Sequence, residues 1–187
     1  MNQFFVCYDT ALGSCGIAWN AGGRVVGSQL PEATVGETRE RMRARFPKAR
    51  ESEDMPPPVL YAMDAVRRLL AGQTHDEREL LSVDLDDSVL PDFNRRVLAL
   101  TRRIPVGQTL TYGEVALRLG ESGAARAVGQ AEGHNPFAPI VPCHRVMGAG
   151  GVGTGFSAHG GVETKLRLLA IEARAAGQLA GEQNALF

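Results

Sequence analysis

Three short runs rich in aromatic and β-branched residues fill the first 26 positions, and beyond residue 90 most apolar spacing is helical. That change of period constrains the fold more than any other feature. The runs are Phe4 to Tyr8, Cys15 to Trp19 and Arg24 to Val26. Turn residues separate them at Leu12-Gly13-Ser14 and Asn20-Ala21-Gly22-Gly23, which predicts an antiparallel meander. A charged helix is expected over Thr38 to Phe46, stopped by Pro47. After Pro56-Pro57-Pro58, the spacing of Val59, Met63, Val66, Leu69 and Leu70 predicts a second helix, Val59 to Ala71, closed by Gly72. Leu80 to Val83 alternates weakly and reads as a last strand. Strands first and helices after them make this an α+β chain that opens with a small α/β unit.

A boundary is expected near Asp86 to Pro91, dividing the chain into 1–88 and 89–187. Pro91 opens a helix running to about Arg103. Tyr112 to Leu119 and Ala124 to Glu132 are two short helices joined through Glu121-Ser122-Gly123, the spacing of a helix-turn-helix. An extended stretch is expected over Phe137 to Val146, a glycine-rich hairpin over Gly148 to Gly155, and a final helix over Val162 to Ala176. Charge changes sign at the same boundary. Residues 1–89 carry 10 Lys and Arg against 14 Asp and Glu, whereas residues 90–187 carry 10 against 7. The net charge of -1 therefore averages two unlike halves and does not exclude a nucleic-acid partner.

Composition narrows the class. With 44% hydrophobic residues and nearly balanced charge, the 187-residue chain can bury a core, which excludes global disorder. The glycines have no period of three and no apolar heptad is sustained, so collagen and coiled coil are excluded. Three cysteines cannot form a disulfide framework. Neither a signal-peptide pattern nor an apolar run of about 20 residues is present, so a cytoplasmic protein with no membrane partner is expected.

The sharpest chemical feature is Pro142-Cys143-His144-Arg145-Val146. A thiol flanked by histidine and arginine is expected to sit in an electropositive setting, which favours the thiolate. A buried cysteine packed as a small hydrophobe fits the same run. Adjacent Cys and His side chains do not meet in a strand, so their cooperation requires a water or an unusual turn, and Pro139 and Pro142 supply a stiff approach.

With Arg126-Ala127-Val128-Gly129 and Asn135-Pro136 before it, this run resembles the O6-alkylguanine-DNA alkyltransferase family, the methylated-DNA–protein-cysteine S-methyltransferases. The resemblance extends upstream to Ile104-Pro105-Val106-Gly107 and Thr111 to Ala116, and downstream to Gly155-Phe156-Ser157, Lys165, Leu168-Leu169 and Glu172. It implies a ribonuclease H-like first unit, a winged-helix-like second unit, and single-turnover DNA repair without a cofactor. Cys143 would accept the alkyl group. His144 would relay its proton through a water to Glu172, and Asn135 would brace the turn before the site. Arg126 would fill the gap left by a flipped base, with Ala125 and Ala127 allowing close approach in the minor groove. Tyr112, Arg145, Val146, Phe156 and Ser157 would contact substrate or DNA. The resemblance also implies double-stranded DNA carrying O6-alkylguanine as partner, and the lack of an apolar surplus favours a monomer.

Ala158-His159 reads as a two-residue insertion in the loop over the pocket. Cys7 and Cys15 read as core residues rather than zinc ligands, because no fourth ligand is evident. Three rival functions remain in view: a lesion-binding protein without transfer, a cysteine hydrolase, and a plain DNA-binding regulator.

Overall fold

A computed structural model describes residues 2–151 and 155–177. The expected meander is present as β1 (Gln3–Thr10), β2 (Gly13–Asn20) and β3 (Val25–Gln29). A short β4 (Ala49–Glu51) adds parallel to β1, giving the order β3-β2-β1-β4. The strand alternation sorts side chains onto two faces. Phe4, Val6, Tyr8, Cys15, Ile17 and Trp19 join the main core with α2 (Pro57–Leu70), whereas Phe5, Cys7 and Ala18 pack on Met42 and Phe46 beside α1 (Val35–Arg45). Cys7 and Cys15 thus point to opposite faces of the sheet and cannot share a metal ion.

Helix α1 lies so close to the sheet that two strand positions have no room for a side chain. A Cβ on Gly16 would fall 2.5 Å from Met42, and one on Gly27 would overlap the Phe46 ring. Helix α1 begins three residues before the expected Thr38 because Thr34 and Glu37 form a reciprocal capping box.

Two expected elements differ from the structure. Leu80 to Val83 is not a strand: Arg78–Leu81 forms one helical turn, α3, started by the Asp76 carboxylate accepting from Arg78 N at 2.8 Å, and Leu80 is buried in the core. The extended partner comes later, where Leu85 bridges Val25 in parallel. Phe137 to Val146 is also not extended, since prolines at 136, 139 and 142 lack the N–H groups that a ladder needs. The chain instead makes successive turns, then a 3-10 turn at Cys143–Arg145, and only Val146–Met147 is a strand, β6.

The second half contains α4 (Asp92–Thr101), β5 (Leu110–Thr111), α5 (Tyr112–Arg118), α6 (Ala125–Gly133) and α7 (Gly161–Ala175), with β5 pairing parallel to β6. The expected hairpin lies partly outside the described residues; Ala149–Gly151 forms a 3-10 turn. Val97, Ile104, Leu110, Val115, Val128, Ala131 and Val146 form a small core under α5 and α6. The larger core crosses the midpoint of the chain, because Leu98, Phe137, Ile140, Val141 and Leu168 pack with the α2 face of the sheet. Arg45 adds polar links, donating to Ser28 O at 2.8 Å, Gln29 Oε1 at 2.7 Å and Pro136 O at 2.9 Å. No described helix is long and apolar enough to cross a membrane.

Candidate active site

The turn series after α6 sets the position of the thiol. Asn135 Oδ1 accepts from Phe137 N at 2.9 Å, and its Nδ2 donates to Val141 O at 2.8 Å, closing the loop that carries the prolines. Arg145 N then donates to Pro142 O at 2.9 Å, which winds Cys143, His144 and Arg145 into the 3-10 turn. The three side chains consequently leave the backbone in different directions instead of alternating as they would in a strand.

All three are enclosed. Cys143 is 7% exposed, and Phe156 of the following loop lines the same small cleft. His144 Nε2 lies 2.6 Å from Glu172 Oε1 on α7. Arg145 grips the same carboxylate in a fork, Nε to Oε2 at 2.8 Å and Nη2 to Oε1 at 2.9 Å, and donates Nη1 to Ile104 O at 2.6 Å. Arg145 is expected from the sequence to contact substrate or DNA; in the structure its side chain is fully buried and its donors face inward, to Glu172 and Ile104. Burial alone would raise the Glu172 carboxyl, but the charges and hydrogen bonds of His144 and Arg145 outweigh it and hold Glu172 at about 2. An ionised Glu172 fixes the imidazole proton on Nε2, leaving Nδ1 as the acceptor. Nδ1 is buried and has no protein partner.

The expected electropositive setting for Cys143 needs correction as well. Burial pushes the thiol up to about 12, the Glu132 charge adds to the rise, and Asn135 and Lys165 oppose it. The sulfur at rest is a thiol, so its proton must leave during any reaction.

The remaining expected residues divide between surface and cleft. Arg126 is exposed near the start of α6, between the half-buried Ala125 and Ala127. Tyr112 opens α5 and lines a cleft of about 20 Å³ together with Cys143, Phe156, Ser157, Lys165 and Glu132. A cleft of that size holds about one water molecule and is too small for a purine. A larger cavity of about 290 Å³ also reaches Cys143, Phe156 and Ser157 and is bordered by Asn135, Ala158 and Arg41. Val146 is buried, and its carbonyl accepts from Lys165 Nζ at 2.6 Å.

Sequence reasoning did not assign Lys165 or Glu132 to the site. Both are enclosed, Lys165 with its ammonium 5.8 Å from the Tyr112 ring centre and 6.0 Å from that of Phe156. Glu132 carried a readable signal: it falls on the buried stripe of α6 with Val128 and Ala131, where a charged residue is out of place. Among the described residues no cluster of three or more possible metal ligands occurs.

Fold and site together define a class: a helix-turn-helix protein that keeps an enclosed cysteine thiol, with a histidine and a paired carboxylate, directly behind its second helix. Comparison with known proteins gives that class a family. Residues 92–174 match the family model described as 6-O-methylguanine DNA methyltransferase, DNA binding domain. The chain is 50% identical over 97 residues to a methylated-DNA–protein-cysteine methyltransferase of Mycolicibacterium paratuberculosis, covering 51% of this chain and 58% of that relative. To the Mycobacterium tuberculosis protein of the same description it is 46% identical over 112 residues, covering 59% and 63%. The aligned stretches thus span less than two thirds of these curated relatives. Among solved structures, Mycobacterium tuberculosis OGT in complex with DNA superposes with a TM-score of 0.74 at 31% identity, covering 94% of this chain and 95% of that one. The O6-methylguanine-DNA methyltransferase of the archaeon Pyrococcus kodakaraensis gives 0.66 at 26% identity. The chain belongs to the 6-O-methylguanine DNA methyltransferase family.

Proposed function

We propose that this protein repairs O6-alkylguanine in double-stranded DNA by moving the alkyl group onto Cys143 in a single irreversible displacement. The observation that carries this reading is the enclosed thiol beside a His144 whose free Nδ1 faces no protein partner and whose Nε2 is tied to an ionised Glu172. In the reaction the thiol proton passes to His144, by way of a water, as sulfur attacks the alkyl carbon. The carbon–oxygen bond breaks, guanine takes up a proton, and a thioether remains on the protein. Glu172 stabilises the imidazolium, with Arg145 keeping that carboxylate ionised and aimed. Because the thioether does not leave, each molecule acts once.

The target atom lies inside a duplex, so the nucleotide must be extruded, at a cost of a few kcal/mol. Arg126, exposed near the start of α6, would fill the gap from the minor groove, with the small Ala125 and Ala127 beside it permitting close approach. The 20 Å³ cleft must widen at Phe156 and Ser157 to receive the base, with Tyr112 and the backbone of Cys143 and Val146 at its walls. We read the first unit, 1–88, as ribonuclease H-like on its helix-covered sheet. We read the second, 89–187, as winged-helix-like on α5, α6 and the β5–β6 pair. The protein is proposed to act as a cytoplasmic monomer.

The test is intact mass after incubation with duplex DNA containing O6-methylguanine. One methyl group should appear on Cys143, in a single burst, and Cys143→Ser should abolish transfer while retaining binding. Sustained turnover would indicate a hydrolase, and binding without mass gain a lesion-flagging protein; either result rejects the proposal.

A further inference from the structure

Behind α6 lies a second enclosed carboxyl that the transfer scheme does not use. Glu132 is 5% exposed. Its Oε1 accepts a short hydrogen bond from Thr101 Oγ1 on α4, whereas Oε2 is buried without a partner. The same residue lines the 20 Å³ cleft. Titratable groups from four elements therefore face one small space: Glu132 from α6, Cys143 from the 3-10 turn, Lys165 from α7 and Tyr112 from α5. Lys165 is the one cation among the described residues lining it, and its hydrogen bond goes to the neutral Val146 carbonyl. In a site that excludes bulk water, one ammonium can balance one anion, and Glu132 and Cys143 can each supply it.

We propose that Glu132 and Cys143 compete for the charge of Lys165, so that an ionised carboxylate suppresses the thiolate and a protonated carboxyl permits it. Glu132 is then a positioning residue that sets the pH range of alkyl transfer, a consequence that rests on the alkyl-acceptor reading of Cys143. From the fully protonated pair one proton leaves to solvent, breaking either the carboxyl O–H or the S–H bond, and the site carries the same charge in both cases. Burial lifts Glu132 to about 7, with Thr101 and Lys165 opposing, and the thiol to about 12. Below about pH 7 the thiolate fraction climbs tenfold per pH unit. Above it the carboxylate takes the negative charge and the thiolate fraction levels off.

The experiment measures the rate at which iodoacetamide modifies Cys143, read by peptide mass, between about pH 6 and pH 9 in the full chain and in Glu132→Gln. The two proteins should react equally near pH 6. Near pH 8 the variant should be about tenfold faster, because its thiolate fraction keeps rising past the Glu132 value of about 7. His144 is common to both proteins and cancels in the ratio. Thr101→Val is the second variant: it keeps the carboxyl but removes a donor that favours its ionised form, so the break in the profile should move to higher pH. Parallel curves for Glu132→Gln, or an unmoved break in Thr101→Val where the first variant does not fold, overturn the proposal. Divergent iodoacetamide rates in a protein that takes no methyl group from DNA would uphold the competition while rejecting the alkyl-acceptor reading, so the two ideas fail separately.

Discussion

Replacing Arg145 with methionine isolates the interaction that ties the active-site turn to α7. The substitution keeps much of the apolar volume but removes three donors, two to Glu172 and one to Ile104 O. Glu172 would remain 2% exposed with His144 as its remaining charge-stabilising partner. Stranding one member of a buried ion pair costs about 3–5 kcal/mol. For a chain of 187 residues, each kcal/mol moves the melting point by roughly 2–4 °C, so a fall of about 10 °C is expected near neutral pH. The pH dependence supplies an internal check. A carboxyl held at about 2 when folded and near 4.5 when unfolded contributes roughly 3 kcal/mol, and this contribution is fully present above the unfolded value. It is lost as pH falls from about 4.5 through 2, and that loss should be much smaller in Arg145→Met. Calorimetric melts across this window decide the matter. A variant that melts within about 2 °C of the parent at neutral pH refutes the buried-pair argument. So does an Arg145→Met/Glu172→Leu double variant that loses as much as the two single changes combined, since removing both charges should recover part of the cost.

Arg126→Ala should weaken binding to lesion duplex and slow methyl transfer while leaving the melting point and the iodoacetamide rate of Cys143 within error, because the side chain is exposed; unchanged transfer would remove Arg126 from the flipping step. Gly27→Ala should destabilise by about 1–3 kcal/mol in a denaturant titration, because the added methyl overlaps the Phe46 ring, and a neutral result would mean that α1 is not pressed onto the sheet as described.

What could be read in advance follows the range of the interactions concerned. The meander was legible because period-two alternation and Gly/Asn turns are local signals, and α2 because its apolar residues repeat at three and four. The failures were tertiary. Leu80 to Val83 alternates like a strand, yet Asp76 starts a helical turn there and Leu80 anchors it in the core. Phe137 to Val146 looks extended to a propensity argument, but Pro139 and Pro142, with Pro136 just before them, deny it a ladder, and hydrogen bonds that fold it come from Asn135. Within the site, Cys143, His144 and Glu172 were named from residue types and family resemblance. The inward direction of Arg145 could not be named, since it depends on a 3-10 turn that sends consecutive side chains in different directions and so turns Arg145 onto Glu172 of α7.

Two enclosed glutamates, one lining the thiol's cleft and one paired with His144 and Arg145, show how little residue type decides. Glu172 and Glu132 are both almost fully enclosed, and burial pushes both carboxyls upward. Glu172 receives a forked guanidinium and an imidazole N–H and ends near 2. Glu132 receives one hydroxyl and a more distant ammonium and ends near 7, where a small change in pH or in its neighbours alters its charge. One carboxylate is thus fixed as an anion and can steady a charged histidine, while the other can respond. The same pairing explains why a basic second half survives the construction of a charged interior. Among the described residues, Arg145 and Lys165 are withdrawn from its ten cations, and Glu132 and Glu172 from its seven carboxylates, so equal numbers of each sign are buried. The positive balance read from the sequence is therefore carried by groups outside the active site, where it can attract a phosphate backbone without adding to the field around the thiol.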